Sequence, residues 1–269
     1  MLTFEALTIG FFAVLGAAAP FTGASRARRL RAVLRSAAVV VCVLVGLQTL
    51  APTVRVWLGH AYLVMGYWIP ALMIPTRMAG GFEAWLARTD DWWRLHPIAA
   101  PSWLLYVLEL SYLLCYVLVP AAFTFIWTNG TGTDTDRFWT AVLISGFACY
   151  GSLPWLVSRP PRVRRRKPDT TITGEPDVPI EGGAARTRLR AANEFVLARV
   201  SHGLNTFPSG HVAVSVAAAL EVMSISRPAG LMMLIAAALI AAGAVAGRYH
   251  YAVDVASGMV VGIAASSLV

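Results

Sequence analysis

Charge is scarce in this sequence. Asp, Glu, Lys and Arg make up 13% of its 269 residues, against about 25% in an ordinary soluble domain. Hydrophobic residues reach 57% and the mean hydropathy is +0.64, so lipid, not water, is the solvent for most of the chain. Cysteine is scarce as well. Cys42, Cys115 and Cys149 are odd in number, fall in apolar stretches and form no CxxC or Cys/His pair, which argues against a disulfide framework or a zinc site. The net charge of +8 comes with no nucleic-acid module, and the arginines gather between apolar stretches. Anionic headgroups are the expected partners, and nucleic acid is not. The first apolar stretch lacks a basic region before it and is followed by the basic run Ser25 to Arg35, so it reads as a retained span rather than a signal peptide. No internal repeat is visible.

What the chain does have is a series of apolar stretches near the ~20 residues that cross a bilayer: 3–22, 36–54, 60–75, 103–127, 138–157, 207–226, 228–247 and 250–269. The third is short and interrupted by Pro70 and Pro75; it is read either as a crossing or as re-entrant. The expected fold is all-α, a polytopic membrane helix bundle. Segment 76–102 mixes Trp85, Trp92 and Trp93 with charged residues and reads as lying on the membrane surface. The tract 128–137 reads as a polar turn between spans. The longest polar segment, 158–206, begins with Arg159, Arg162, Arg164, Arg165, Arg166 and Lys167. Its end, 186–200, has the pattern of a surface helix or of a solvated loop helix.

Ionisable groups entering membrane spans are expensive, so those of the last third invite a functional reading. Pro208 suits a helix start, which puts Ser209, Gly210 and His211 in a first turn whose amides face an anion. One span leads away from His211 and a second returns to Arg248 and His250, so both histidines sit at one depth. His250 and Asp254 are four residues apart; on a helix they share a face, and the carboxylate can orient the imidazole. Arg159 and Arg162, at the end of span 138–157, reach the same side. Helix terminus, arginines and paired histidines together suit a phosphoryl group. In this reading His250 attacks phosphorus, His211 protonates the leaving oxygen, and Arg159, Arg162, Arg248, Ser209 and Gly210 hold the phosphate oxygens. No metal or cofactor is called for. Glu221 reads as a buried hydrogen-bonding group.

The Pro208-Ser209-Gly210-His211 motif, followed after a helical hairpin by His250-x-x-x-Asp254, resembles the type 2 phosphatidic acid phosphatase (PAP2) superfamily of membrane lipid phosphatases and phosphotransferases. Each motif alone is a weak signal; in this order and on one face they are strong. The resemblance implies a six-helix catalytic core over 103–269, with loop 158–206, and extra spans plus an interfacial segment over 1–102. It implies a lipid phosphate substrate, a phosphate monoester or pyrophosphate, and hydrolysis through a phosphohistidine without metal. Two positions depart from the family pattern: Ser152 stands where a lysine is usual and Ala244 where an arginine is usual. Pro160-Pro161-Arg162, Asn205-x-Phe207-Pro208-Ser209 and His250-Tyr251 look more like the inositol phosphorylceramide synthase branch, which transfers headgroups between lipids. Headgroup transfer is thus one alternative, and a non-catalytic lipid-phosphate transporter is another. The expected location is a bacterial cell membrane. The excess of loop arginines on the side of the site favours a cytoplasmic catalytic face, whereas the resemblance favours the opposite one.

Overall fold

The computed structural model describes residues 1–77, 80–92, 101–163, 195, 199 and 201–269. The surface helix expected over 186–200, the run Arg164 to Lys167 and Trp93 lie outside the described residues, apart from the isolated positions 195 and 199. Among the described residues the structure is a helical bundle with no strand, as the hydropathy pattern predicts. The helices are α1 (Thr3–Ala18), α2 (Arg26–Thr49), α3 (Pro52–Arg55), α4 (Gly59–Ala71), α5 (Gly80–Trp92), α6 (Ser102–Leu113), α7 (Cys115–Asn129), α8 (Gly132–Gly151), α9 (Gly210–Ile225), α10 (Arg227–Ala246) and α11 (Ala252–Ser267). By length and composition α1 with its terminal 3-10 turn, α2 and α10 suffice to cross a bilayer. Helices α6 and α7 form a further span bent by 53°, and α9 and α11 are shorter apolar helices.

Two boundaries differ from the hydropathy reading. The basic run after Ser25 belongs to α2 itself. The polar tract 128–137 is not wholly a turn, because α8 starts at Gly132 behind a capping box. In that box Asp134 N–H donates to Thr131 Oγ1 at 3.2 Å and Thr131 N–H donates to Asp134 Oδ2 at 2.7 Å, which satisfies two helix-end donors reciprocally. Within the short stretch 60–75, α4 runs alongside the second half of α8. Gly59, at the start of α4, lies against Trp139 near the middle of α8, and Tyr67 packs edge-on against Tyr150 near the end of α8, with ring centroids 5.3 Å apart.

Helix α9 is the axis, packed by α7, α8, α10 and α11. Its buried face is built from small side chains, among them Ala213, Ser215, Ala217 and Ala218. Lipid tails are as apolar as leucine, so helices in a membrane gain by close packing rather than by escape from solvent. Helix α11 approaches it closely, through Gly258 and Gly262. A Cβ at Gly258 would stand 2.6 Å from the Ser209 carbonyl oxygen, and one at Gly262 would stand 2.5 Å from that of Ala213. This small-xxx-small contact sets the start of α11 beside the start of α9. At the far end, charges are paired inside the bundle: Arg55 with Glu5 at 2.9 Å and Arg137 with Glu221 at 3.0 Å, while Asp136 accepts from the first amides of α1.

Gly262→Ala should therefore force α11 off α9 and destabilise the bundle by about 1–3 kcal/mol. Gly10→Ala, at a helical position with nothing within 4 Å, should be neutral or stabilising by up to about 1 kcal/mol. Thermal unfolding in detergent checks both, and a Gly262→Ala protein that melts with wild type would refute the close-packing account.

Candidate active site

The site lies where α9 and α11 begin. Helix α11 does not start at His250. It starts at Ala252, with Tyr251 as its N-cap, because Asp254 folds back as a cap and its Oδ2 accepts the Tyr251 N–H at 2.9 Å. His250 thus stands in the turn before the helix, a correction to the shared helical face read from the spacing. The juxtaposition survives by another route: Asp254 Oδ2 is 3.6 Å from His250 Nδ1. That is longer than a hydrogen bond, since the same oxygen already takes two donors. The second is Asn205 Nδ2, at 2.6 Å. With Nδ1 turned to the carboxylate, Nε2 is the ring nitrogen left to face away from it.

His211, in the first turn of α9, has its ring centroid 6.0 Å from that of His250. Both line a cavity of about 30 Å³, together with Arg162 and three tyrosines, Tyr67, Tyr112 and Tyr249. Arg162 is placed by stacking. Its guanidinium lies 4.4 Å from the Tyr249 ring centroid, that ring stacks on Tyr112 at 4.1 Å, and the Tyr249 hydroxyl donates to the buried Glu109 carboxylate at 2.7 Å. Its backbone N–H also donates to the Arg248 carbonyl at 3.2 Å.

Arg248 occupies an unusual place. The Tyr249 N–H returns to the Ala244 carbonyl at 2.9 Å and the Arg248 N–H to that of Val245 at 3.0 Å, the two bonds of a Schellman helix end. The residue at its left-handed position, normally glycine, is Arg248, with φ 56°. Its Nε is buried without a hydrogen-bond partner. An arginine at this left-handed position carries a backbone cost that glycine would not. Ala244, where the resemblance leads one to look for an arginine, contributes its carbonyl to this turn. Ser152, at the other departure, hydrogen-bonds the Phe207 carbonyl at 2.5 Å and so ties α8 to the Pro208 turn.

Three expected phosphate contacts are engaged otherwise. The Ser209 N–H donates to the Asp254 carbonyl at 2.9 Å and the Gly210 N–H reaches Thr206 Oγ1 at 3.4 Å, so these amides do not stand open to an anion. The space beside the Gly210 Cα holds the Tyr150 ring, 2.1 Å from where a Cβ would be. What Ser209 leaves available is its buried, unpartnered hydroxyl. Arg159 gives its N–H and Nε to Glu83, at 2.9 and 3.2 Å, and is not among the residues lining the cavity.

Glu83 belongs to α5, in the segment 76–102 read as lying on the membrane surface, and one face of α5 packs against the bundle. Leu86 and Ala87 are buried with Tyr251. Glu83 and Asp90, two turns apart, face inward, and Asp90 Oδ1 accepts the first amide of α11, Ala252 N–H, at 3.0 Å. Burial pushes the Asp90 carboxyl above its ordinary range. Asn205, Glu83, Asp90 and Tyr249 were not singled out for roles in the sequence. Only Asn205 carried a signal, as part of the Asn205-x-Phe207-Pro208-Ser209 stretch, because the partners of all four are far away along the chain.

A family model described as the PAP2 superfamily matches residues 80–268. The match takes in α5, both histidines and Asp254, and well over half the chain. No curated protein and no solved structure matches it. The family points to a membrane enzyme of phosphatase type, and its motif residues meet around one cavity at one end of the bundle: the chain belongs to the PAP2 superfamily.

Proposed function

We propose that the protein cleaves a lipid phosphate ester or pyrophosphate through a phosphohistidine on His250. The observation that carries this reading is the cavity bounded by His250, His211 and Arg162, with Asp254 behind His250. In the first step the Nε2 lone pair of His250 attacks phosphorus, the bond from phosphorus to the lipid oxygen breaks, and protonated His211 gives its proton to that oxygen. In the second step neutral His211 takes a proton from water as the water oxygen attacks phosphorus. The nitrogen–phosphorus bond breaks, and inorganic phosphate leaves with both histidines restored. Asp254 holds the ring and stabilises the charge it acquires, as an orienting carboxylate does. Arg162, which lines the cavity, is the group best placed to take the phosphate oxygens, and Arg248 and the Ser209 hydroxyl, buried and unpartnered but outside the cavity lining, are proposed to join it. Arg159 joins them on release from Glu83. An alcohol in place of water would make the same intermediate a phosphotransferase, the inositol phosphorylceramide synthase-like alternative. A non-catalytic lipid-phosphate transporter would form no phosphoenzyme at all.

The site is proposed to face the cytoplasm. Arg28 reaches the Ala71 carbonyl at 2.6 Å, at the cavity end of α4, so the basic run of α2 lies on the side of the site. At the other end stand Arg55 and Arg137, fewer than the arginines of the α2 run, and an excess of arginine beside spans marks the cytoplasmic side.

Phosphate release from a panel of detergent-solubilised lipid phosphates in EDTA, with and without an alcohol acceptor, tests the chemistry. His211→Ala should lower kcat by about 10²–10⁴-fold, and His250→Ala should abolish release and the acid-labile phosphoenzyme trapped from labelled substrate. Full activity in His250→Ala would sink the mechanism. Arg248→Gly should be as stable as wild type or up to about 1 kcal/mol more so, yet lose kcat/KM; a gain in neither stability nor specificity for Arg at this position would show in unchanged values for both. For sidedness, Ser25→Cys, at an exposed position on the side of the site, should resist a membrane-impermeant maleimide in intact cells and react after lysis. Labelling in intact cells would reverse the orientation.

A further inference from the structure

Tyr67 is on α4, outside the part of the chain that matches the family, yet it lines the cavity. We infer that it is a positioning residue of this site, latching residues 201–205 to α4 and so holding Asn205 on the Asp254 carboxylate. The inference rests on the phosphohistidine reading for its kinetic consequence.

The latch has two parts. The Tyr67 hydroxyl donates to Ser201 Oγ at 3.1 Å and accepts the His202 backbone N–H at 3.3 Å. The ring stacks on the His202 imidazole, with centroids 4.5 Å apart and planes 21° from parallel. Its other neighbour is Tyr150, the residue that fills the space beside Gly210. Tyr67 thus bridges the turn before α9 and the start of α9 itself.

The segment it grips is a folded unit. The Gly203 N–H donates to Ser201 Oγ at 3.1 Å and the Leu204 N–H to His202 Nδ1 at 3.3 Å, with Gly203 in the left-handed region at φ 77°. An acceptor Nδ1 requires a neutral ring, and burial holds the His202 imidazole down to about 4 from its ordinary 6.5. One residue further on, Asn205 pairs with Ser158, its N–H to the carbonyl at 2.8 Å and its Nδ2 to the hydroxyl at 3.2 Å, and the same Nδ2 reaches Asp254 at 2.6 Å. The path from Tyr67 to the carboxylate is therefore a run of hydrogen bonds within a five-residue turn. A span that the family core does not include completes the support behind His250.

Tyr67→Phe removes the two hydrogen bonds and keeps the stack, while Tyr67→Leu removes both. Hydrogen exchange of the full-length protein in detergent should show the amides of 201–206 exchanging about fivefold faster or more in Tyr67→Phe, the factor expected for losing one net hydrogen bond or more, and faster still in Tyr67→Leu. On the substrate found active, kcat should fall in the same order with KM changed less than about twofold, as for a group acting through Asp254 and not on the substrate. Wild-type exchange rates in both variants would overturn the latch. A rise in KM at constant kcat would overturn the positioning role and make Tyr67 a direct substrate contact. Exchange requires no turnover, so a wild type inactive on every lipid would fail the catalytic reading while the exchange rates still decide the latch.

Discussion

The Asp254 carboxylate is the point on which the site depends. One oxygen, Oδ2, accepts the Tyr251 N–H that starts α11, accepts the Asn205 amide that arrives with the long connection, and faces His250 Nδ1. Each interaction is ordinary alone. Sharing one oxygen makes them interdependent: the helix cannot begin elsewhere without moving the carboxylate, and the carboxylate cannot move without releasing the imidazole. A helix cap contributes about 1 kcal/mol, and here the same group also orients a ring. Its backbone joins in, because the Asp254 carbonyl accepts the Ser209 N–H and fastens α9 to α11.

That arrangement requires two helix starts to meet, and small residues supply the means. Gly258 and Gly262 let α11 approach α9 until carbonyl oxygens occupy the room where side chains would be. Helix α5 then closes over the junction, with Glu83 on Arg159 and Asp90 on the first amide of α11. The acidic residues Glu83 and Asp90 of α5 hold a cation and an amide, and the lining of the cavity carries histidine, arginine and tyrosine but no carboxylate among the described residues.

The sequence foretold more of the residues than of their geometry. Spacing alone brought His211, His250 and Asp254 to one end of the bundle, because a helical hairpin of two equal arms must return to its starting depth. The same spacing misplaced His250 on the helix, since a four-residue interval is also what a capping aspartate and the residue before an N-cap display. The capping box at Thr131 and Asp134 and the close-packing pair Gly258 and Gly262 were both readable as local patterns. The former was hidden by reading polarity as a turn. The inward turn of Glu83 and Asp90 was not readable: nothing in a charged, tryptophan-bearing segment points to partners 76 and 162 residues away.

Both ends of the bundle bury polar atoms, and ones without a hydrogen-bond partner occur away from the site as well as at it, Arg55 Nε and Glu221 Oε1 among them. Away from the site, charge is matched: Glu5 with Arg55, Glu221 with Arg137, Asp136 with the first amides of α1. At the site, Ser209 Oγ, His211 Nδ1, His250 Nδ1, Arg248 Nε, Asn205 Oδ1 and Asp254 Oδ1 are buried without a hydrogen-bond partner. Unsatisfied buried polar atoms are few in native proteins and each costs about 1–3 kcal/mol. Of those at the site, the Ser209 hydroxyl and the Arg248 Nε–H are donors that an anion with several oxygens would relieve, whereas the Asn205 and Asp254 oxygens are acceptors that such a ligand leaves unpaired. Such donors gain most from a ligand that supplies several acceptors at once, and since a phosphoryl group carries the same oxygens in the ester and in the transition state, any preference for the transition state lies in where those oxygens point.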